Sequence, residues 1–171
     1  SVCSTRIQTG HGVPNLSTIM LARRAINGLQ SNAAIIADGG IRNSGDAVKA
    51  LAAGANSVMI GRLIAGTDEC PGKQYAKKPD GSFEENVFGD HAKYRGQSSK
   101  EFNEELGKSG VTAEGVATYV PMQGPVAPIL ADIIGGIRSG MTYSGARNLQ
   151  ELFDKSMFIE MSHASLVESH P

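Results

Sequence analysis

The sequence predicts an α/β fold built on parallel strands, and three observations carry that prediction. Ile35-Ile36-Ala37-Asp38-Gly39-Gly40-Ile41 is a short apolar run that breaks into an acid and two glycines, the pattern of a buried parallel strand. A segment with helical character over 45–53 follows, with Ser44 as its cap and Gly54 after it. A second apolar run over 57–60 then ends in Gly61. The unit therefore reads β-α-β, with a right-handed crossover. Ligands collect at the carboxyl ends of such strands, so Asp38, Gly39, Gly40 and Gly61 mark the functional end.

Composition narrows the classes. The 171 residues suffice for one domain, and a formal net charge of -1 leaves no electrostatic footprint for nucleic acid. Cys3 and Cys70 form no CxxC and join no Cys/His cluster. That argues against a disulfide framework or a zinc site and suits a reducing cytosol. No apolar stretch approaches membrane-spanning length and no signal peptide is visible. The expectation is a cytoplasmic protein with no membrane partner. The chain opens on polar Ser1-Val2-Cys3-Ser4-Thr5-Arg6 with no strand before it, which reads as part of a longer protein.

Along the chain, 1–14 carries glycine and proline punctuation without periodicity and reads as a loop. A thiol becomes a good nucleophile only when donors, a cation or a helix N-terminus lower its pKa, and Arg6 with the hydroxyls of Ser1, Ser4 and Thr5 surrounds Cys3 in sequence. A lone cysteine is more often inert than reactive, so the residues alone leave both roles open. An amphipathic helix is expected over 15–27, with Asn15 as N-cap, and the buried strand over 33–37. The glycines at 39, 40 and 61 suit either a phosphate pocket or simple turns.

Residues 66–91 read as a hairpin-like excursion, with Cys70 incidental to it, and 94–99 as a loop that opens a short charged helix over 100–106. The polar run onward to Gly124 reads as a surface loop or a lid, so 66–124 is expected to be a mobile flap. Val126, Ile129, Leu130, Ile133, Ile134 and Ile137 recur at helical spacing over 125–137. After it, 140–145 reads as a turn, 149–154 as a last short helix, 157–161 as extended and 166–171 as an exposed tail.

Several of these motifs together resemble one family, the inosine monophosphate dehydrogenases and guanosine monophosphate reductases. They are Ser1-Val2-Cys3-Ser4-Thr5-Arg6, Ile36-Ala37-Asp38-Gly39-Gly40-Ile41-Arg42 with Ser44-Gly45-Asp46, and Lys49-Ala50-Leu51-Ala52-Ala53-Gly54-Ala55. Val58-Met59-Ile60-Gly61, Tyr94-Arg95-Gly96 and Gly135-Gly136-Ile137-Arg138-Ser139-Gly140-Met141 with Tyr143-Ser144-Gly145-Ala146 complete the match in the family's order. The resemblance implies the C-terminal portion of a (β/α)8 barrel: about the last two strands, the flap and the closing helices. The earlier strands, with most of the nicotinamide surface, would lie outside it.

Family chemistry then assigns roles. Cys3 would attack C2 of the purine to form a covalent adduct. Asp38 would hold the ribose, and Ser1, Gly39, Gly40, Gly61 and Tyr94 the phosphate, with Arg62 standing where a small residue is usual. Gly96 and Gln97 would face the base, while Thr5 and Glu114 would relay a proton. The cofactor would be NADPH or NAD, the substrate a purine nucleoside monophosphate and the assembly a homotetramer. Cys3 with Glu168, Ser169 and His170 would supply backbone oxygens to a potassium ion.

Dehydrogenases of this family carry an Arg-Tyr pair on a long flap to activate water, whereas no arginine stands between Arg95 and Arg138 here. Ser98-Ser99 also resembles the reductase loop, so the resemblance favours a GMP reductase using NADPH. The Glu168-Ser169-His170 tail leans toward a dehydrogenase that oxidises IMP with NAD and activates water through Thr5 and Glu114. A barrel fragment that only binds phosphate is the third reading.

Overall fold

A computed structural model describes residues 2–169 of the chain. A short helix α1 (Thr5–Thr9) leads into α2 (Asn15–Gly28), β1 (Ile36–Asp38), α3 (Ser44–Ala52) and β2 (Ser57–Met59). Strands β3 (Gln74–Lys77), β4 (Phe83–Glu85) and β5 (His91–Arg95) follow, then α4 (Lys100–Glu105) and β6 (Ala117–Pro121). Helices α5 (Val126–Tyr143), α6 (Leu149–Lys155) and α7 (His163–Glu168) close the described chain.

The strand, helix and strand form in the expected order, but the buried strand is corrected: only Ala37 of β1 is buried, and Ile36 is 59% exposed. β1 and β2 pair in parallel, Ile36 opposite Ser57 and Asp38 opposite Met59, so both chains leave the pair at neighbouring carboxyl ends. Strand β1 starts three residues later than expected and ends one residue later, and the Ile35 carbonyl before it accepts from Asn56 N and from Ser57 N at the start of β2. The cap of α3 is also corrected. Asn43, in extended backbone, accepts from Asp46 N at 2.9 Å, which leaves Ser44 as the first helical residue.

The core lies where α3 meets its neighbours. Ala47, Ala50 and Ala53 are buried with Ile19 of α2 and Ala37 of β1, and their small side chains bring the helix close to the strands. Helix α5 approaches α3 just as closely. A methyl group on Gly140 would lie 2.8 Å from Val48 Cγ1, and one on Gly136 would collide with the Ser44 side chain. Both glycines are contact points inside a helix that runs on to Tyr143, so Gly140 is not the start of the expected turn. The turn falls at Gly145, whose φ is +63°. Behind it, Leu152 of α6 is fully buried against Leu51 and Ala52.

Residues 74–121 add an antiparallel sheet in the order β4-β3-β5-β6. The expected hairpin is β3 with β4, Tyr75 opposite Glu85. Two expectations fail here. Tyr94 and Arg95 belong to β5 and not to a loop, and the polar run before Gly124 contains β6, which pairs Tyr94 with Thr118 and Arg95 with Ala117. An aromatic cluster binds these strands: Phe83 stacks on Tyr119 at 4.0 Å, and Tyr75 meets Tyr119 edge-on at 4.9 Å. Ion pairs then fix α4 to β5. Arg95 grips Glu105 with two bonds of 2.6 Å, and Lys93 Nζ lies 2.7 Å from Glu101 Oε2.

The ends differ from expectation as well. Residues 5–9 form α1, where Ile7 and Gln8 donate to the Ser4 carbonyl and Gly10 ends the turn at φ +69°. Residues 157–161 join no strand, and α7 forms in the tail because Ser162 accepts from Ser165 N at 3.2 Å.

Candidate active site

Cys3 sits just before α1, exposed, on a short bridge to the segment that carries Glu114. It forms an isolated antiparallel bridge with Gly115. Ser4 N donates to Glu114 O at 2.7 Å and Val116 N to Val2 O at 2.8 Å. The same segment is held from its other side, since Glu114 N and Gly115 N both donate to Ser98 O, at 3.0 and 3.1 Å. Three stretches distant in sequence therefore converge: the Cys3 loop, the 96–99 loop and residues 114–116.

Gly115 is the crossing point. A methyl group there would stand 3.1 Å from Ser99 N and 3.3 Å from Val2 O, so a larger residue would push two of the three stretches apart. Sequence reading missed Gly115, whose only signal was a glycine next to an acid. Gly96 and Gln97 lie on the second stretch as expected, with Gly96 N donating to Val116 O at 3.3 Å and Gln97 exposed.

The Cys3 thiol is tuned within this cluster. Sγ lies 3.3 Å from Thr5 Oγ1, and the Thr5 hydroxyl, followed by the Thr5 backbone N–H, lowers the thiol's pKa from its ordinary value. Arg6 acts in the same direction, while desolvation and the Glu114 carboxylate act against it. The result is a thiol more easily ionised than an ordinary cysteine, beside a hydroxyl and a carboxylate, which is a set of groups for nucleophilic attack and proton transfer.

The glycine ends of β1 and β2 form a second group. Gly39 and Gly40 adopt φ +85° and +78°. Next to them, a methyl group on Gly61 would lie 2.6 Å from Tyr94 Oη, so the structure brings Tyr94 and Gly61 together as expected. A cleft of about 580 Å³ opens beside this pair, lined also by Thr67, Lys73, Lys93 and Arg95. Asp38 and Arg62 are exposed. Cys70, on the cleft wall, donates to Ile64 O at 2.9 Å. Glu168 ends α7 and Ser169 is its C-cap. Ser1 and His170 lie outside the described residues.

Asn15 is the other residue the sequence misread. It is the first residue of α2, and Pro14 takes the N-cap position without a side-chain cap bond. The Asn15 carboxamide instead donates to Asp38 O at 2.8 Å and Gly39 O at 2.6 Å.

Comparison with known proteins decides the family. A family model described as the IMP dehydrogenase / GMP reductase domain matches residues 1–171. The chain belongs to the IMP dehydrogenase / GMP reductase family. Among relatives of this family, the inosine-5'-monophosphate dehydrogenase of Borreliella burgdorferi is 44% identical over 174 residues, 100% of this chain and 42% of that protein. That of Aquifex aeolicus is 42% identical over 173 residues, covering 99% of this chain and 34% of that protein. A solved structure of a cysteine-to-alanine variant of GMP reductase from Trypanosoma brucei, in complex with guanosine 5'-monophosphate, superposes with a TM-score of 0.86. It is 38% identical and covers 100% of this chain and 34% of its own. The chain thus spans between a third and about two-fifths of the length of these IMP dehydrogenase / GMP reductase relatives.

Proposed function

We propose that this chain carries part of the catalytic site of a purine-nucleotide oxidoreductase, and specifically of a GMP reductase. The observation that carries the proposal is the Cys3–Thr5–Glu114 cluster, with no arginine between Arg95 and Arg138 to activate water. The β1-α3-β2 unit is read as part of a (β/α)8 barrel, a reading supported by the superposition on the reductase. Residues 66–124 act as a flap over its mouth.

In the proposed reaction, the Cys3 thiolate adds to C2 of GMP. A proton carried by Thr5 and Glu114 lets the 2-amino group leave as ammonia, and a Cys3 thioimidate remains. Hydride addition at C2 then expels the thiolate and gives IMP. The exposed setting of Cys3 suits a nicotinamide beside the purine; NADPH supplies the hydride when bound. Asp38 holds the ribose hydroxyls, and Ser1, Gly39, Gly40, Gly61, Arg62 and Tyr94 surround the phosphate. Gly96 and Gln97 face the base. Glu168 and Ser169 offer carbonyl oxygens at the end of α7, where helical partners run out, and with Cys3 and His170, as the family resemblance implies, they suit a potassium ion in a homotetramer.

A second reading is an IMP dehydrogenase, favoured by the names of the two bacterial relatives. In it, hydride leaves C2 to NAD, and Thr5 with Glu114 takes a proton from the water that resolves the adduct. One assay separates the two. The full-length enzyme is mixed with GMP and NADPH or, separately, with IMP, NAD and potassium, and the absorbance of the reduced nicotinamide is followed. Loss of absorbance in the first mixture alone is expected, and it should vanish in Cys3→Ala. A gain in the second mixture alone would establish the dehydrogenase, and full activity in Cys3→Ala would overturn both.

A further inference from the structure

We infer that Asn15 is a positioning residue for the nucleotide phosphate, an inference that rests on the reading of the site as a purine-nucleotide site. The covalent geometry of the turn carries it. In a trans peptide the C=O and the N–H point in opposite directions, and no cis peptide occurs among the described residues. The Asp38 carbonyl shares its peptide plane with the Gly39 N–H, and the Gly39 carbonyl shares its plane with the Gly40 N–H. Asn15 Nδ2 binds both carbonyls, at 2.8 and 2.6 Å. Both N–H groups are thereby directed to the opposite side of the turn. Successive N–H groups aimed to one side make an anion-binding concavity.

Two further observations fit this role. The glycines adopt φ +85° and +78°, a region costly for other residues, so the turn depends on outside contacts to select it from the many conformations open to a Gly-Gly pair. Asn15 is also the nearest neighbour of both positions, since a methyl group on Gly39 or Gly40 would meet its Nδ2 at 3.6 or 3.5 Å. The residue that opens α2 thus sets the direction of the donors at the end of β1, and it links the helix after the Cys3 loop to the phosphate end of the nucleotide.

The test uses the full-length enzyme with Cys3→Ala, so that binding is read without turnover. Calorimetry gives the affinities for GMP and for guanosine, and a thermal melt gives the melting temperature. Asn15→Ala removes two hydrogen bonds at an exposed position. It is expected to weaken GMP about tenfold and guanosine much less, with the melting temperature held. Asn15→Asp sets a carboxylate against two carbonyl oxygens. Its loss of GMP affinity is expected to exceed that of Asn15→Ala at neutral pH, and to shrink relative to the parent as acid protonates the carboxyl and restores one donor. GMP affinity within about twofold of the parent in Asn15→Ala overturns the inference. So does an equal loss for GMP and guanosine with a collapsed melting temperature, which would mark a purely structural residue. A parent that binds neither GMP nor IMP removes the nucleotide reading of the site, and this inference with it.

Discussion

The lowered pKa of the Cys3 thiol comes from Thr5 more than from charge. The Thr5 hydroxyl contributes most to lowering the thiol's pKa, its backbone N–H comes next, and Glu114 opposes both. A thiol with a lowered pKa holds more thiolate at neutral pH and alkylates faster. Thr5→Val is therefore expected to move the pH profile of iodoacetamide alkylation at Cys3 to higher pH and to slow the reaction at neutral pH. Glu114→Gln is expected to move the profile the other way. Peptide mass spectrometry separates Cys3 from Cys70, and profiles that coincide for all three proteins would show that the contacts seen at 3.3 Å do not tune the thiol.

The elements are locked together at a few crossings, and α3 takes part in most of them. It receives alanines from its own sequence, the glycine stripe of α5 on one side and Leu152 of α6 on another. Leu152 is fully buried, so truncation leaves a cavity on top of the lost transfer energy. Leu152→Ala is expected to destabilise the fold by about 2–5 kcal/mol, measured by urea denaturation at constant slope. A change near zero would mean that α6 rearranges to fill the space. Helix α4 is fixed differently, by the Arg95–Glu105 and Lys93–Glu101 pairs and by Arg95 lying 5.3 Å over the Phe102 ring. That anchoring holds Ser99, the cap of α4, and with it the Ser98 carbonyl on which Glu114 and Gly115 hang.

For the whole molecule, charge matters through many exposed pairs, each of them weak. Hydrogen bonding from Arg95 lowers the pKa of Glu105, and hydrogen bonding from Lys155, then from Arg147 N–H, lowers that of Glu151. A carboxylate with a lowered folded-state pKa stabilises the fold above its unfolded value, and the contribution is lost as pH falls through the folded value. The melting temperature is thus expected to be level near neutrality and to fall below about pH 4.3, the unfolded glutamate value. A Glu105→Gln, Glu151→Gln double variant should show a shallower fall, and one as steep as the parent's would assign the acid loss to other groups. Among the described residues no helix is long and apolar enough to cross a membrane.

Local chemistry was legible wherever it was written in neighbouring residues. The parallel β-α-β unit, the strand ends at Asp38-Gly39-Gly40 and Gly61, the hairpin within 66–91 and the helices near 100 and 149 follow from periodicity and turn residues, which act over a few positions. The family motifs also put Cys3, Thr5 and Glu114 in one group. What the sequence misjudged depends on partners far along the chain. The strand Ala117–Pro121 has little apolar alternation of its own and exists because β5 offers it a ladder. Gly140 reads as the start of a turn but, with Gly136, serves as the floor on which α3 rests. Asn15 has the chemistry of a cap, yet its amide goes to a turn 23 residues away, because the fold brings that turn's two carbonyls within its reach. Hydrogen-bond donors and small side chains are fixed by the sequence; which acceptors and neighbours they meet is decided only when the tertiary structure closes.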